Sequence, residues 1–182
     1  MKITFNQFVF WVITFLIPEL VFAQAVYLSP SEALKTIFAT SGEVVPDKKT
    51  LSPDAIKKIS KALGYEISKK EWTFYIAKTG NVVNGYALVD NEKGKMEPIT
   101  FLTAINTDGT VKDVEVLVYR ESYGSEVHQK PFLRQYNKKK STDPIRVGQD
   151  IKHITGATIS SRAISTGVKR ALIIWNQIYG TK

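Results

Sequence analysis

The run Thr155-Gly156-Ala157-Thr158-Ile159-Ser160-Ser161 puts four hydroxyls into seven residues at the head of a helical pattern, with Gly156 and Ala157 small enough to let a bulky group approach the backbone. A helix start presents N–H groups without intrahelical partners and the positive end of the macrodipole, so a phosphate could be held there with a hydroxyl beside it. The same residues have an ordinary use, because Ser160 or Ser161 could simply N-cap the helix that follows. Residue types alone leave both readings open, since short Ser/Thr/Gly runs are common. A second candidate group is Glu121-Ser122-Tyr123-Gly124, placed where a strand runs into a loop. Strand ends and loops often touch ligands, but by themselves a solvated carboxylate and a half-buried loop aromatic explain these residues equally well.

Other chemistries are excluded. The chain has no cysteine, which removes thiolate metal sites, c-type haem attachment, a lipoprotein anchor and cysteine catalysis. His128 and His153 are its two histidines, and no carboxylates are spaced around them as metal ligands would be. No Gly-x-Gly-x-x-Gly follows a strand, no Gly-rich loop ends in Gly-Lys-Ser/Thr, and no Ser/His/Asp arrangement is discernible.

The stretch Ile154-Thr155-Gly156-Ala157-Thr158-Ile159-Ser160-Ser161-Arg162-Ala163-Ile164 resembles the signature of the FMN-binding domain family, which includes the periplasmic flavin subunits of the Rnf and Na⁺-translocating NADH:quinone reductase complexes. The resemblance implies FMN joined through a phosphoester to Thr158, the second hydroxyl residue of a Ser/Thr-Gly-Ala-Thr core, by a flavin transferase that uses FAD. The family usually has an acidic residue three positions before the first hydroxyl residue; here that position is Lys152, with Asp150 two residues earlier. The loop is similar as well: Glu121 and Gly124 stand where the family lines its isoalloxazine pocket, with Ser122-Tyr123 in place of the more usual Thr-Pro. Pro131 to Tyr136 and Asp143-Pro144-Ile145 fit the family's spacing, so the likeness covers about residues 80 to 175. The implied cofactor-binding residues are therefore Thr155, Gly156, Ala157, Thr158, Ile159, Ser160, Ser161, Glu121, Ser122, Tyr123 and Gly124, with Tyr123 or a nearby apolar side chain stacking on the ring.

This resemblance implies an exported flavoprotein that passes electrons between membrane or periplasmic redox proteins, a carrier rather than a complete enzyme, with no nucleic-acid partner. Two alternatives stand beside it: a small flavin-dependent reductase of a soluble acceptor, and a cofactor-free exported binding module of the same fold, which Lys152 keeps open.

The elements that must position these groups follow from patterning. Residues 1–23 read as a signal peptide: Met1-Lys2, an apolar run from Phe8 to Ile17, then Val21-Phe22-Ala23 as a small-residue cleavage site, with cleavage after Ala23 or Ala25. The alternative, an uncleaved membrane anchor, meets an apolar run only half of the roughly 20 residues a span requires. Periplasmic or otherwise exported is the expected location. Residues 24–70 are expected to form an N-terminal helical segment, opened by Ser29-Pro30-Ser31-Glu32 and again by Ser52-Pro53-Asp54, the second helix ending at Gly64. Residues 71–182 are expected to form the FMN-binding domain, starting with strands at 72–77, 82–89, 99–105 and 111–119, the last two joined by Asp108-Gly109. Ala163, Gly167, Ala171, Trp175 and Ile178 then share one side of a helix over Ser161 to Tyr179. The fold class is α+β: a twisted antiparallel meander with this C-terminal helix packed on it and two N-terminal helices nearby. The net charge of +8, densest at Lys138-Lys139-Lys140, suits an anionic membrane face, an acidic redox partner or an anionic cofactor, although solvated loop lysines explain that cluster as well.

Overall fold

The computed structural model describes residues 24–180, so residues 1–23, which the sequence reads as a signal peptide, lie outside the described residues. Its centre is a six-stranded sheet, wholly antiparallel, in the order β1 (Ala25–Val26), β6 (Val111–Tyr119), β5 (Pro98–Ile105), β4 (Val82–Lys93), β3 (Glu71–Thr79) and β2 (Glu43–Thr50). The four consecutive strands β3 (Glu71–Thr79), β4 (Val82–Lys93), β5 (Pro98–Ile105) and β6 (Val111–Tyr119) make the expected meander. β4 runs to Lys93, opposite Pro98, four residues past the end at 89 that the sequence predicts, so the β4–β5 turn is residues 94–97.

Two strands were not anticipated. β1 (Ala25–Val26) pairs with the end of β6, and β2 (Glu43–Thr50) pairs with residues 71–78 of β3, both from the stretch that reads as helical. Pro46 and the charged Glu43, Asp47, Lys48 and Lys49 hide β2 from apolar patterning, and such residues suit an edge strand.

The helices between them begin as their sequences require. Ser29 caps α1 (Pro30–Ile37) in a full capping box with Glu32, and Ser52 caps α2 (Pro53–Leu63). α1 covers one face of the sheet, where Leu34 and Phe38 meet Leu102 and Leu117. On the opposite face lies α4 (Thr158–Tyr179), with α2 beside it over the larger core. Between β6 and α4 the chain forms the short helix α3 (Lys130–Leu133), a 3-10 turn on either side of it, and a loop.

α4 is 22 residues long and starts three residues before the sequence-predicted Ser161. Ala157, not Ser160 or Ser161, occupies its N-cap, and no side chain caps it. Both serines lie inside the first turns and are buried, Ser160 against the Tyr119 hydroxyl of β6 and Ser161 turned back onto Ala157 O. Lys139 also departs from a solvated loop lysine: its Nζ lies 2.8 Å from Asp150 Oδ2.

Candidate functional site

Three segments meet at the start of α4: the β4–β5 turn, the loop after β6, and the turn 154–157. Glu121 joins the first two, its Oε1 accepting the backbone N–H of Met96 at 2.7 Å and of Glu97 at 3.1 Å. Arg120 braces the same junction by donating to Pro98 O at 3.0 Å and Thr100 Oγ1 at 2.9 Å. Gly124 joins the loop to the helix start. Its φ is +83°, and a Cβ there would fall 3.0 Å from both Ala157 Cβ and Tyr119 Oη, so only glycine permits this approach.

Tyr119, at the end of β6, lies behind the junction and is 1% exposed. Its hydroxyl donates to Tyr123 O at 2.5 Å and lies 2.8 Å from Ser160 Oγ. Burial pushes this phenol above its ordinary pKa, outweighing the bond from Ser160, so it stays a neutral donor near neutral pH.

The three segments enclose a cleft of about 640 Å³. Gly156, Ala157, Thr158, Ile159 and Ser160 line one side, and Glu121, Ser122 and Tyr123 line the other. The two groups of residues singled out from the sequence therefore share one cavity. Three large apolar side chains stand exposed around it, Tyr123 at 86%, Met96 at 73% and Ile159 at 48%. Single exposed apolar residues are unremarkable, but several around one concavity mark a ligand or partner site.

The remaining candidate residues lie outside the cleft lining. Thr155 is exposed beside it, and Gly124 packs behind it. Ser161 faces the core, where its Oγ donates to Ala157 O at 2.9 Å. Lys95, Met96, Glu97 and Arg120 line the cleft without having been anticipated, because nothing in a hairpin tip's composition tells which distant helix it will face. In the sequence Tyr119 is one more residue of the 111–119 strand, since its partner on α4, Ser160, is 41 residues away.

The electrostatics of the helix start favour an anion. No acidic residue occupies the first turn of α4, no side chain caps its first N–H groups, and the residues that carry them, Thr158 to Ser160, line the cleft. Gly156, with φ +82° and open space beyond its Cα, leaves the approach clear. The half-buried Thr158 hydroxyl lines the cleft and makes no hydrogen bond to any described residue. Asp150, by contrast, is fully engaged below: it accepts from Ile145 N at 3.1 Å, Arg146 N at 2.8 Å and Lys139 Nζ at 2.8 Å. Among the described residues no group of three or more His, Asp or Glu is placed to hold a metal ion.

Comparison with known proteins agrees with the likeness read from the sequence. Residues 94–173 match the family described as FMN-binding domain, a span that contains the whole cleft. One component of the proton-translocating ferredoxin:NAD(+) oxidoreductase complex of Clostridium ljungdahlii is 34% identical over 112 residues, 57% of this chain and 59% of that relative's length. A component of the Na(+)-translocating ferredoxin:NAD(+) oxidoreductase complex of Acetobacterium woodii is 24% identical over 149 residues, 75% of this chain and 72% of that relative. The crystal structure of Shewanella oneidensis NqrC superposes with a TM-score of 0.55 at 16% identity, covering 84% of this chain and 88% of that one, which shows a shared fold. Among the described residues no helix is long and apolar enough to cross a membrane.

Proposed function

We propose that this chain, whose residues 94–173 match the FMN-binding domain family, carries FMN in the cleft at the start of α4 and serves as an electron-transfer module. One observation carries the reading: Thr158 and the rest of the α4 N-terminus, which no side chain caps, line the same cavity as the exposed Tyr123, Met96 and Ile159. The donor set fits the cofactor. A flat apolar ring system needs walls of this kind, a phosphate needs N–H donors and positive potential, and about 640 Å³ is within the roughly 300–1,000 Å³ usual for such ligands. When bound, the flavin supplies the redox chemistry, and the protein supplies binding, exposure and potential. Tyr123, Met96 and Ile159 would shield the ring from water, and the first N–H groups of α4 would hold the phosphate.

Attachment is covalent in this reading. Thr158 Oγ1 attacks the FMN phosphorus of FAD on a flavin transferase; the new Thr–O–P bond replaces the pyrophosphate bond, AMP departs, and the hydroxyl proton leaves with it. An ester would keep the cofactor from being lost outside the cytoplasm. Residues 1–23 would direct export, 71–182 would form the flavin domain, and the partners would be membrane or periplasmic redox proteins. The names of the two ferredoxin:NAD(+) oxidoreductase relatives support such partners.

The test is intact mass of the protein from cells that co-express a flavin transferase, against Thr158→Ala. The expected wild-type gain is one FMN less one water, absent from the variant. Equal unmodified masses in both remove the ester and leave noncovalent FMN binding or a cofactor-free module.

A further inference from the structure

α4 is pinned to the rest of the molecule by two buried phenol–serine pairs. Tyr119 Oη meets Ser160 Oγ at 2.8 Å, and Tyr136 Oη meets Ser165 Oγ at 2.9 Å. Both tyrosines and both serines are buried. Their proton inventories differ. A phenol has one hydrogen, and a carbonyl can only accept, so Tyr119 spends its hydrogen on Tyr123 O and must accept the hydrogen of Ser160. In the other pair, Ser165 spends its hydrogen on Ser161 O at 2.8 Å, so Tyr136 donates and its bond ends there.

Tyr119 is thus a through-connection, and Tyr136 is a terminus. From one oxygen, Tyr119 fixes the backbone of Tyr123, whose side chain is a wall of the cleft, and Ser160, which lines the cleft from the first turn of α4. The absent Cβ of Gly124 leaves room for that oxygen. Glu121 ties the same loop to the β4–β5 turn, but at the end away from the helix. Between Tyr123 and α4, the Tyr119 hydroxyl is the hydrogen-bonded link.

We infer that Tyr119 is the positioning residue of the flavin cleft, setting the distance between the Tyr123 wall and the helix start through its single hydroxyl. The inference rests on the proposed FMN site. Tyr119→Phe keeps the ring and its packing but leaves Tyr123 O and the Ser160 hydroxyl without their partner, which frees the loop from the helix.

The test titrates the full chain, made without a transferase, with free FMN read by fluorescence anisotropy, alongside amide hydrogen exchange over residues 120–124. Tyr119→Phe is expected to weaken FMN about tenfold and to speed exchange in that loop, as loss of one buried hydrogen bond with orphaned partners implies. Tyr136→Phe removes the same kind of bond and is expected to lower the melting temperature comparably while leaving FMN affinity within about twofold. Equal FMN affinity for wild type and Tyr119→Phe overturns the inference, and so do equal affinity losses in the two variants, which would reflect stability alone. If the wild type binds no FMN, noncovalent binding at the proposed site fails on its own, and exchange still decides about Tyr119: unchanged rates in Tyr119→Phe overturn the positioning role.

Discussion

Gly124 shows how one atom can decide whether the cleft exists. A valine there would have to hold φ +83°, a region its branched side chain avoids, and would push its Cβ into Ala157 and the Tyr119 hydroxyl. We expect Gly124→Val to lose about 2 kcal/mol or more in urea unfolding, and to bind FMN weakly or not at all by anisotropy. A variant with unchanged stability and FMN binding would show that the loop does not need its contact with Ala157. The glycine stood out in the sequence as part of the Glu-Gly loop. Its contact with Ala157 was not legible, because 33 positions of chain separate the two residues.

At the level of elements, α4 must be held along the sheet for its first turn to face the cleft. Arg170 does this from the helix middle, its Nη2 lying 2.7 Å from Asp90 Oδ2 and its Nη1 2.5 Å from Glu92 Oε2, both on β4. Arg170 and Asp90 are buried, and removing the guanidinium would strand the Asp90 carboxylate without compensation. We expect Arg170→Ala to cost about 3–5 kcal/mol by urea denaturation, a loss that replacing Arg170 and Asp90 together with apolar residues should partly reverse. Full additivity of the two single losses would rule out the ion pair as the cause. The helix itself was legible from its apolar period, whereas the salt bridge was not: arginine in a helix usually faces water, and only the packed position of β4 brings its partners within reach.

For the molecule as a whole, acid should loosen the loops that Asp150 and Asp108 hold, the first between α3 and α4 and the second between β5 and β6. Burial pushes the Asp150 carboxyl up, but Lys139 and the N–H groups of Arg146 and Ile145 outweigh it and hold the group below the usual carboxylate range. Bonds from Thr110 hold Asp108 low in the same way. A folded-state pKa lower than the unfolded one means the charged form stabilises the fold. That contribution is complete above the ordinary carboxylate pKa of about 4 and is lost as pH falls through the lower folded-state values. The stability advantage of wild type over Asp150→Asn, measured by urea unfolding, should therefore be largest near pH 7 and shrink below about pH 4. An advantage that does not change with pH would mean that the carboxylate's charge plays no part.

The sequence by itself determined the chemistry on offer and the local elements that carry it. The Thr-Gly-Ala-Thr core, the capped starts of α1 and α2, the Asp108-Gly109 turn and the apolar stripe of α4 all depend on neighbours within a few residues, and interactions of that range are written in order along the chain. Tertiary structure alone decided which of them meet. It brought the β4–β5 turn to the helix start, set Ser160 and Ser161 inward instead of at the cap, and recruited β2 to the sheet edge despite its polar composition. It also gave Tyr119 its two partners, one four residues away and one 41 residues away. These outcomes depend on burial against distant segments, and burial overrides local preference wherever a side chain or an edge strand gains a partner that its own neighbours in sequence do not supply.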